Sequence, residues 1–173
     1  VDISEVFDNY NDIKDKKHPL SHYKANDKVR VKIIGHHDLK SHKSLPITHN
    51  FVKGTVFELT MKPSQLKSKD VKELDIRDIT VGDEIIAFVN NYQNSTLWLT
   101  VTPTIKAKLS IFDLSEETLM NIKNVEDDFP LGSVLKVNVT GKDQNKSILQ
   151  VTQRNGKINS IDDLKVGGHT IGK

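Results

Sequence analysis

Trp98 stands in "TLWLTV", where apolar and polar residues alternate. Period-two alternation puts Leu97, Leu99 and Val101 on one face of an extended chain, and Thr96, Trp98 and Thr100 on the other. A large ring in polar company is a stacking surface, and a base stacked on such a ring contributes about 1–3 kcal/mol. Further on, Lys106 and Lys108 alternate with Ile105, Ala107 and Leu109, so both lysines leave the apolar face. Tyr92 precedes this stretch, and Lys142, Asp143 and Lys146 follow it. Rings that hold bases and ammonium groups that hold phosphates are the chemistry of single-stranded nucleic-acid binding. The plainer reading makes Trp98 a packing residue and the lysines a solvated strand face that discourages edge pairing. The threonines beside Trp98 favour exposure.

A second candidate region is "HHDLKSHKSLPITHNFVK", in which Lys40, His42 and Lys43 make a basic stretch. Four histidines, His36, His37, His42 and His49, raise the question of a metal. The chain has no cysteine, and these histidines show no regular ligand spacing, so no metal site is expected. A long basic loop within a compact domain reads better as a contact for RNA phosphates or for a protein partner. No nucleophile motif and no phosphate-cradling glycine loop is present, and the carboxylates are scattered, so neither catalysis, a cofactor nor a small-molecule substrate is expected. The formal net charge of +2 permits nucleic-acid binding without demanding it. No apolar run approaches the roughly 18 residues of a membrane span, and no membrane partner is expected.

The elements that must position these residues are short strands. "EIIAFVNNY", "TLWLTV" and "IKAKLSI" have strand character; "SEETLMNI" shifts to helical spacing behind Ser115, a plausible N-cap followed by two glutamates; "SVLKVNVTG" and "SILQVTQ" then alternate around the turn "KDQNK". Three strands, a short helix and two strands are the layout of a small closed barrel of the oligonucleotide-binding (OB) type.

The pattern recurs. "DDLKVGGHTI" near the end parallels "RDITVGDEII", and the rhythm of "VDISEV" matches "LSIFDL". "YKANDKVRVKIIG" matches "FPLGSVLKVNVTG", which places Tyr23 on Phe129, Asn26 on Gly132, Val31 on Val137 and Gly35 on Gly141. The expectation is a chain that opens inside one copy, contains a whole one and closes as a third begins.

The blocks "VGDEIIAFV", "LWLTV", "LSIFDLS", "FPLGSVLKVNV" and "SILQVTQ" resemble the S-one domain, the RNA-binding repeat named after the largest protein of the bacterial small ribosomal subunit. "VRVKIIGHHDLKSHKSLPITH" and "LWLTVTPTIKAKLSIFDLS" are similar to the multi-repeat eukaryotic nucleolar ribosomal-RNA-processing members of that family. The resemblance implies an all-β chain of five-stranded antiparallel OB-fold barrels in tandem. On that reading residues 1–67 are the C-terminal half of one domain with a long basic hairpin insertion, and 68–80 a linker. Residues 81–154 are the complete domain, with its helix between strands three and four, and 155–173 a linker and the start of the next. It further implies a nucleolar RNA-binding and scaffolding segment of a ribosome biogenesis factor, with pre-rRNA or small nucleolar RNA and other pre-ribosomal proteins as partners. Of the family's binding set, Trp98 matches the second aromatic and Asp143 the aspartate. Ser95 stands at the first aromatic with Tyr92 nearby, Ser110 at the histidine, and Ser147 at the arginine with Lys146 beside it. That depletion supports an alternative reading, a protein-interaction scaffold whose barrels do not bind RNA.

Overall fold

The structure, a computed structural model, describes residues 1–38, 55–70 and 74–154. The C-terminal phrase "DDLKVGGHTI" and the stretch carrying Lys40, His42 and Lys43 lie outside the described residues.

Seven strands are found among these residues. β1 (Lys32–Asp38) and β2 (Thr55–Thr60) form a two-stranded antiparallel hairpin. β3 (Glu84–Gln93), β4 (Thr96–Thr100), β5 (Lys106–Ser110), β6 (Val134–Asp143) and β7 (Ile148–Thr152) close into a barrel in the order β3-β4-β5-β7-β6. The two longest strands, β3 and β6, serve their two neighbours with successive halves. β3 pairs with β6 through its first half and with β4 through its second, with a register shift between Val89 and Asn91.

The barrel is mixed rather than wholly antiparallel. β5 and β7 run parallel, with Lys106 opposite Ile148 and Leu109 opposite Val151. Parity requires it, because a closed ring with an odd number of strands cannot alternate direction at every seam. The parallel seam falls where the meander β3-β4-β5 meets the hairpin β6-β7.

Alternation fills the interior. Ala87, Val89, Leu97, Leu99, Ala107, Leu109, Val137, Val139, Leu149 and Val151 are all buried in one cluster. One end is closed by Leu114 and, partly buried, by Leu119, Ile122, Val125 and Phe129. These come from a connection expected to hold one helix, which the structure divides into α2 (Glu116–Asn121) and α3 (Val125–Asp128). Ser115 caps the first as anticipated, its hydroxyl accepting from Thr118 N–H at 3.3 Å, and Asn124 caps the second. A further helix, α1 (Pro63–Lys67), was not anticipated, although Pro63 in its first turn is a recognised start signal. The linker packs on the barrel through Ile76 and Ile79, both buried.

The paired segments read in the sequence share backbone detail. Asn26 and Gly132 both take positive φ, +72° and +84°, and Gly82 does so at +99°. Each is the third residue of a turn closed by a backbone hydrogen bond: Asp27 N–H to Lys24 O, Ser133 N–H to Pro130 O, and Asp83 N–H to Thr80 O. β1 and β6 shift register before Gly35 and Gly141, which face Glu58 and Gln150. A Cβ there would come within 3.1 Å of Glu58 Oε2 or 3.3 Å of Gln150 Oε1. Two short 3-10 turns, Ile3–Glu5 and Ile111–Asp113, end in carbonyls held alike. Glu5 O accepts from Met61 N–H and the Thr60 hydroxyl, and Asp113 O accepts from Gln153 N–H and the Thr152 hydroxyl.

A second apolar cluster joins the N-terminal unit to the barrel. Val6, Phe7 and Ile13 bury Phe88 and Val134, with Ile3, Tyr10, Met61 and Ile86 packed at the edge. Ala87 and Val89 point inward, so Phe88 between them is on the outer face, yet it is only 1% exposed. Val134 N–H donates to Lys16 O at 2.8 Å, and the Lys17 ammonium lies 3.5 Å from Asp128. By contrast Val29, Val31, Ile33 and Phe57 of the N-terminal unit are exposed, at positions matching the buried Leu135, Val137, Val139 and Leu149.

Candidate nucleic-acid interface

The outer face of β4 and β5 carries the candidate residues that stay available. Trp98 is half-buried, while Leu97 and Leu99 on either side are fully enclosed. The register sets Trp98 opposite Lys108, and Lys108 opposite Gln150 of β7. The Lys108 ammonium sits 4.6 Å from the centre of the Trp98 ring, a cation–π contact that contributes about 0.5–1 kcal/mol at exposed sites. Lys106 lies one row along the same face, opposite Thr100 and Ile148, and is half-buried. Ring and ammonium groups thus share one face of the sheet, which suits a base on the ring with phosphate beside it. Ser110, at the family's histidine position, caps the following 3-10 turn by accepting from Phe112 N–H at 3.3 Å.

Other candidates are committed to the fold. The Tyr92 hydroxyl donates to Phe129 O, and its ring packs against the barrel core, so it braces the helical connection. Burial, assisted by the negative charge of Glu126, raises the phenol above its ordinary pKa. Lys142 donates to Ile79 O at 2.7 Å and weakly to Arg77 O, pinning the linker to β6. In that linker, the two hydrogen bonds from the Arg77 side chain are the main reason the Asp75 carboxyl is held down at about 2. Asp143 Oδ1 accepts from Asn145 and Lys146 N–H, shaping the turn that Ser147 completes at φ +53°. Lys146 is exposed and only 3.9 Å from Asp143, a surface pair of little energetic weight. The structure therefore brings Trp98, Lys106 and Lys108 together, and it leaves Tyr92 and Lys142 with internal partners. The candidates Lys40, His42 and Lys43 fall outside the described residues.

Phe88 and Val134, which alternation sets on the outer face, are not among the candidates drawn from the sequence. Their signal was apolarity on both faces, since "AFV" and "SVL" place large residues where alternation calls for polar ones.

Comparison with known proteins accords with the family resemblance. Residues 1–66 match the family model described as the OB domain of Protein RRP5 homolog-like proteins. The whole chain is 31% identical to the rRNA biogenesis protein rrp5 of Schizosaccharomyces pombe and spans 10% of that protein. It is 26% identical to the Protein RRP5 homolog of Homo sapiens over 80% of this chain and 8% of that one. Two solved structures overlap about half of the chain, both at a TM-score of 0.38. One is the intact alpha subunit of aIF2 from Pyrococcus abyssi, 18% identical over 46% of this chain and 30% of that chain. The other is an a/eIF2alpha-aDim2p-rRNA complex from Pyrococcus horikoshii OT3, 19% identical over 44% of this chain and 45% of that chain. Across its length the chain resembles the RRP5 rRNA biogenesis proteins, and its first 66 residues match their OB domain.

Proposed function

We propose that this chain is an RNA-binding and scaffolding segment of a ribosome biogenesis factor, acting in pre-rRNA processing within pre-ribosomal particles of the nucleolus. Its RNA partner on this reading is pre-rRNA or a small nucleolar RNA. The observation that carries the proposal is the pairing of Trp98 with Lys108 on the outer face of β4 and β5, with Lys106 on the same face. A base entering the stack displaces Lys108 from the ring, and the freed ammonium then meets the phosphate of the same nucleotide. The parsing of the chain into 1–67, 68–80, 81–154 and 155–173 belongs to this reading. It is supported by the matched turns, bulges and capped carbonyls of the two units.

The test is a titration of the chain with single-stranded pre-rRNA fragments, following Trp98 fluorescence at several salt concentrations. Quenching that fades with salt, and a loss of about 1–3 kcal/mol in Trp98→Ala, are expected. Binding that leaves both the fluorescence and the Trp98→Ala affinity unchanged would remove RNA from this face.

One observation favours a second reading, a scaffold that docks proteins. Tyr92 and Lys142, two residues placed near the family's binding set, have internal hydrogen-bond partners instead. On that reading RNA leaves Trp98 silent and pre-ribosomal proteins bind in its place.

A further inference from the structure

The N-terminal unit contains a surface that the complete barrel lacks. Residues 20–30 are exposed without interruption and contain Lys24, Lys28 and Arg30. Among the described residues none of these three side chains has a hydrogen-bond or ion-pair partner, whereas Lys16, Lys17, Lys32 and Lys62 all do. Beside them stands an aromatic ladder. Phe7 is buried in the junction cluster, the His22 ring lies 6.3 Å from it, and the Tyr23 ring lies 4.1 Å from His22, tilted by 39°. The ladder starts on a fixed residue and ends in solvent at Tyr23, which is 37% exposed.

The matching stretch of the complete barrel has the opposite character. Residues 126–138 carry Glu126, Asp127 and Asp128 against Lys136, a net charge of −2. Residues 20–32 carry Lys24, Lys28, Arg30 and Lys32 against Asp27, a net charge of +3. Lys28 corresponds to Val134, the residue that the junction buries. Tyr23 corresponds to Phe129, which packs on the barrel core and supplies the carbonyl for Tyr92. The same backbone turn, with Asn26 in place of Gly132, thus presents free cations and an open ring in one copy and a docked apolar face in the other.

We propose that His22–Tyr23 together with Lys24, Lys28 and Arg30 form a second binding surface for single-stranded RNA, separate from the β4–β5 face. The Tyr23 ring extends the ladder by accepting a base, and the three cations hold flanking phosphates. An acidic protein would satisfy the cations but has no use for a ring preorganised by two others, and this favours RNA. The inference rests on the RNA reading above and differs from it in the residues it uses.

The test is fluorescence anisotropy of a labelled single-stranded oligoribonucleotide with the whole chain across a salt series, joined to amide-shift mapping on the wild type. Lys28→Ala with Arg30→Ala removes two phosphate contacts. At about 0.7 per contact on single strands, the slope of log affinity against log salt falls by about 1.4, or about 25-fold at 0.1 M salt relative to 1 M. Tyr23→Ala weakens binding by about fivefold or more. Both effects are expected with Trp98 intact, and RNA should shift the amides of Tyr23, Lys28 and Arg30. If Trp98→Ala weakens binding while these variants keep wild-type affinity and slope, and their amides do not move, this second surface is wrong and the barrel face stands alone. If RNA does not bind at all, both readings fall. Should polyglutamate bind instead, with the same sensitivity to Lys28 and Arg30, the surface serves an acidic protein and the RNA assignment is overturned.

Discussion

Phe88→Ala should separate the two units without opening the barrel. Phe88 lies on the outer face, 1% exposed, and its neighbours are Val6, Phe7 and Ile13, none of which belongs to the barrel core. A phenylalanine side chain buries roughly 200 Å², and at about 25 cal/mol per Å² that amounts to about 5 kcal/mol. Retention of Cβ and partial collapse around it reduce the loss to about 3–5 kcal/mol. The loss falls on the N-terminal unit, because its Val29, Val31, Ile33 and Phe57 are exposed and its buried apolar residues among the described ones, Val6, Phe7 and Ile13, sit in the junction cluster. Amide hydrogen exchange reads the two units separately. Protection in β1 and β2 should drop by about two to nearly four orders of magnitude, as about 1.4 kcal/mol is tenfold. Protection in β3 to β7, and the denaturant midpoint reported by Trp98 fluorescence, should change little. Leu97→Ala, inside the barrel and fully enclosed, should instead lower protection of the barrel amides, by about 2–5 kcal/mol. Equal acceleration of both units in Phe88→Ala would refute the division into two clusters and show one cooperative body.

Two further substitutions probe the turns and the brace. Gly132→Ala should cost about 1–2 kcal/mol because φ is +84° there. Gly132→Asn should cost visibly less, since Asn26 holds the matching place at +72°, and thermal unfolding of both variants ranks them. Tyr92→Phe leaves Phe129 O without its hydroxyl donor and should cost about 1–3 kcal/mol by denaturant titration. The raised phenol pKa adds a pH signature. Its contribution is complete below the unfolded-state value of about 10 and is lost as pH rises through the folded one. The stability of the wild type should therefore decline above about pH 10 by a component that Tyr92→Phe lacks.

The barrel could be read from the sequence because its interior is written in period two. Leu97 and Leu99, Ala107 and Leu109, and Val137 and Val139 each announce an inward face. The parallel β5–β7 seam is a property of ring closure that no single strand encodes, so an antiparallel expectation followed from the hairpins alone. Alternation also placed Trp98 among polar residues, but it could not say which polar groups are occupied. Tyr92 and Lys142 look free in the sequence because their partners, Phe129 O and Ile79 O, are backbone atoms brought near only by the fold. The junction was hidden for a related reason. An outward apolar residue such as Phe88 becomes informative only when the segment carrying Val6, Phe7 and Ile13 is known to lie over it.

The features shared by the two units are mostly backbone features. Turns with a positive-φ third residue, glycines at the bulges of β1 and β6, and capped carbonyls at Glu5 and Asp113 depend on few side chains. They fix where strands enter and leave while constraining the outer faces little. Those faces differ accordingly. Val134 and Phe88 make an apolar seat that the N-terminal unit occupies, which withdraws that part of the outer face of β3 and β6 from any other partner. Lys28, at the place of Val134, cannot form such a seat without burying an unpaired ammonium, a cost of several kcal/mol. Where the N-terminal unit meets a partner through this turn, that partner must therefore bring negative charge to it.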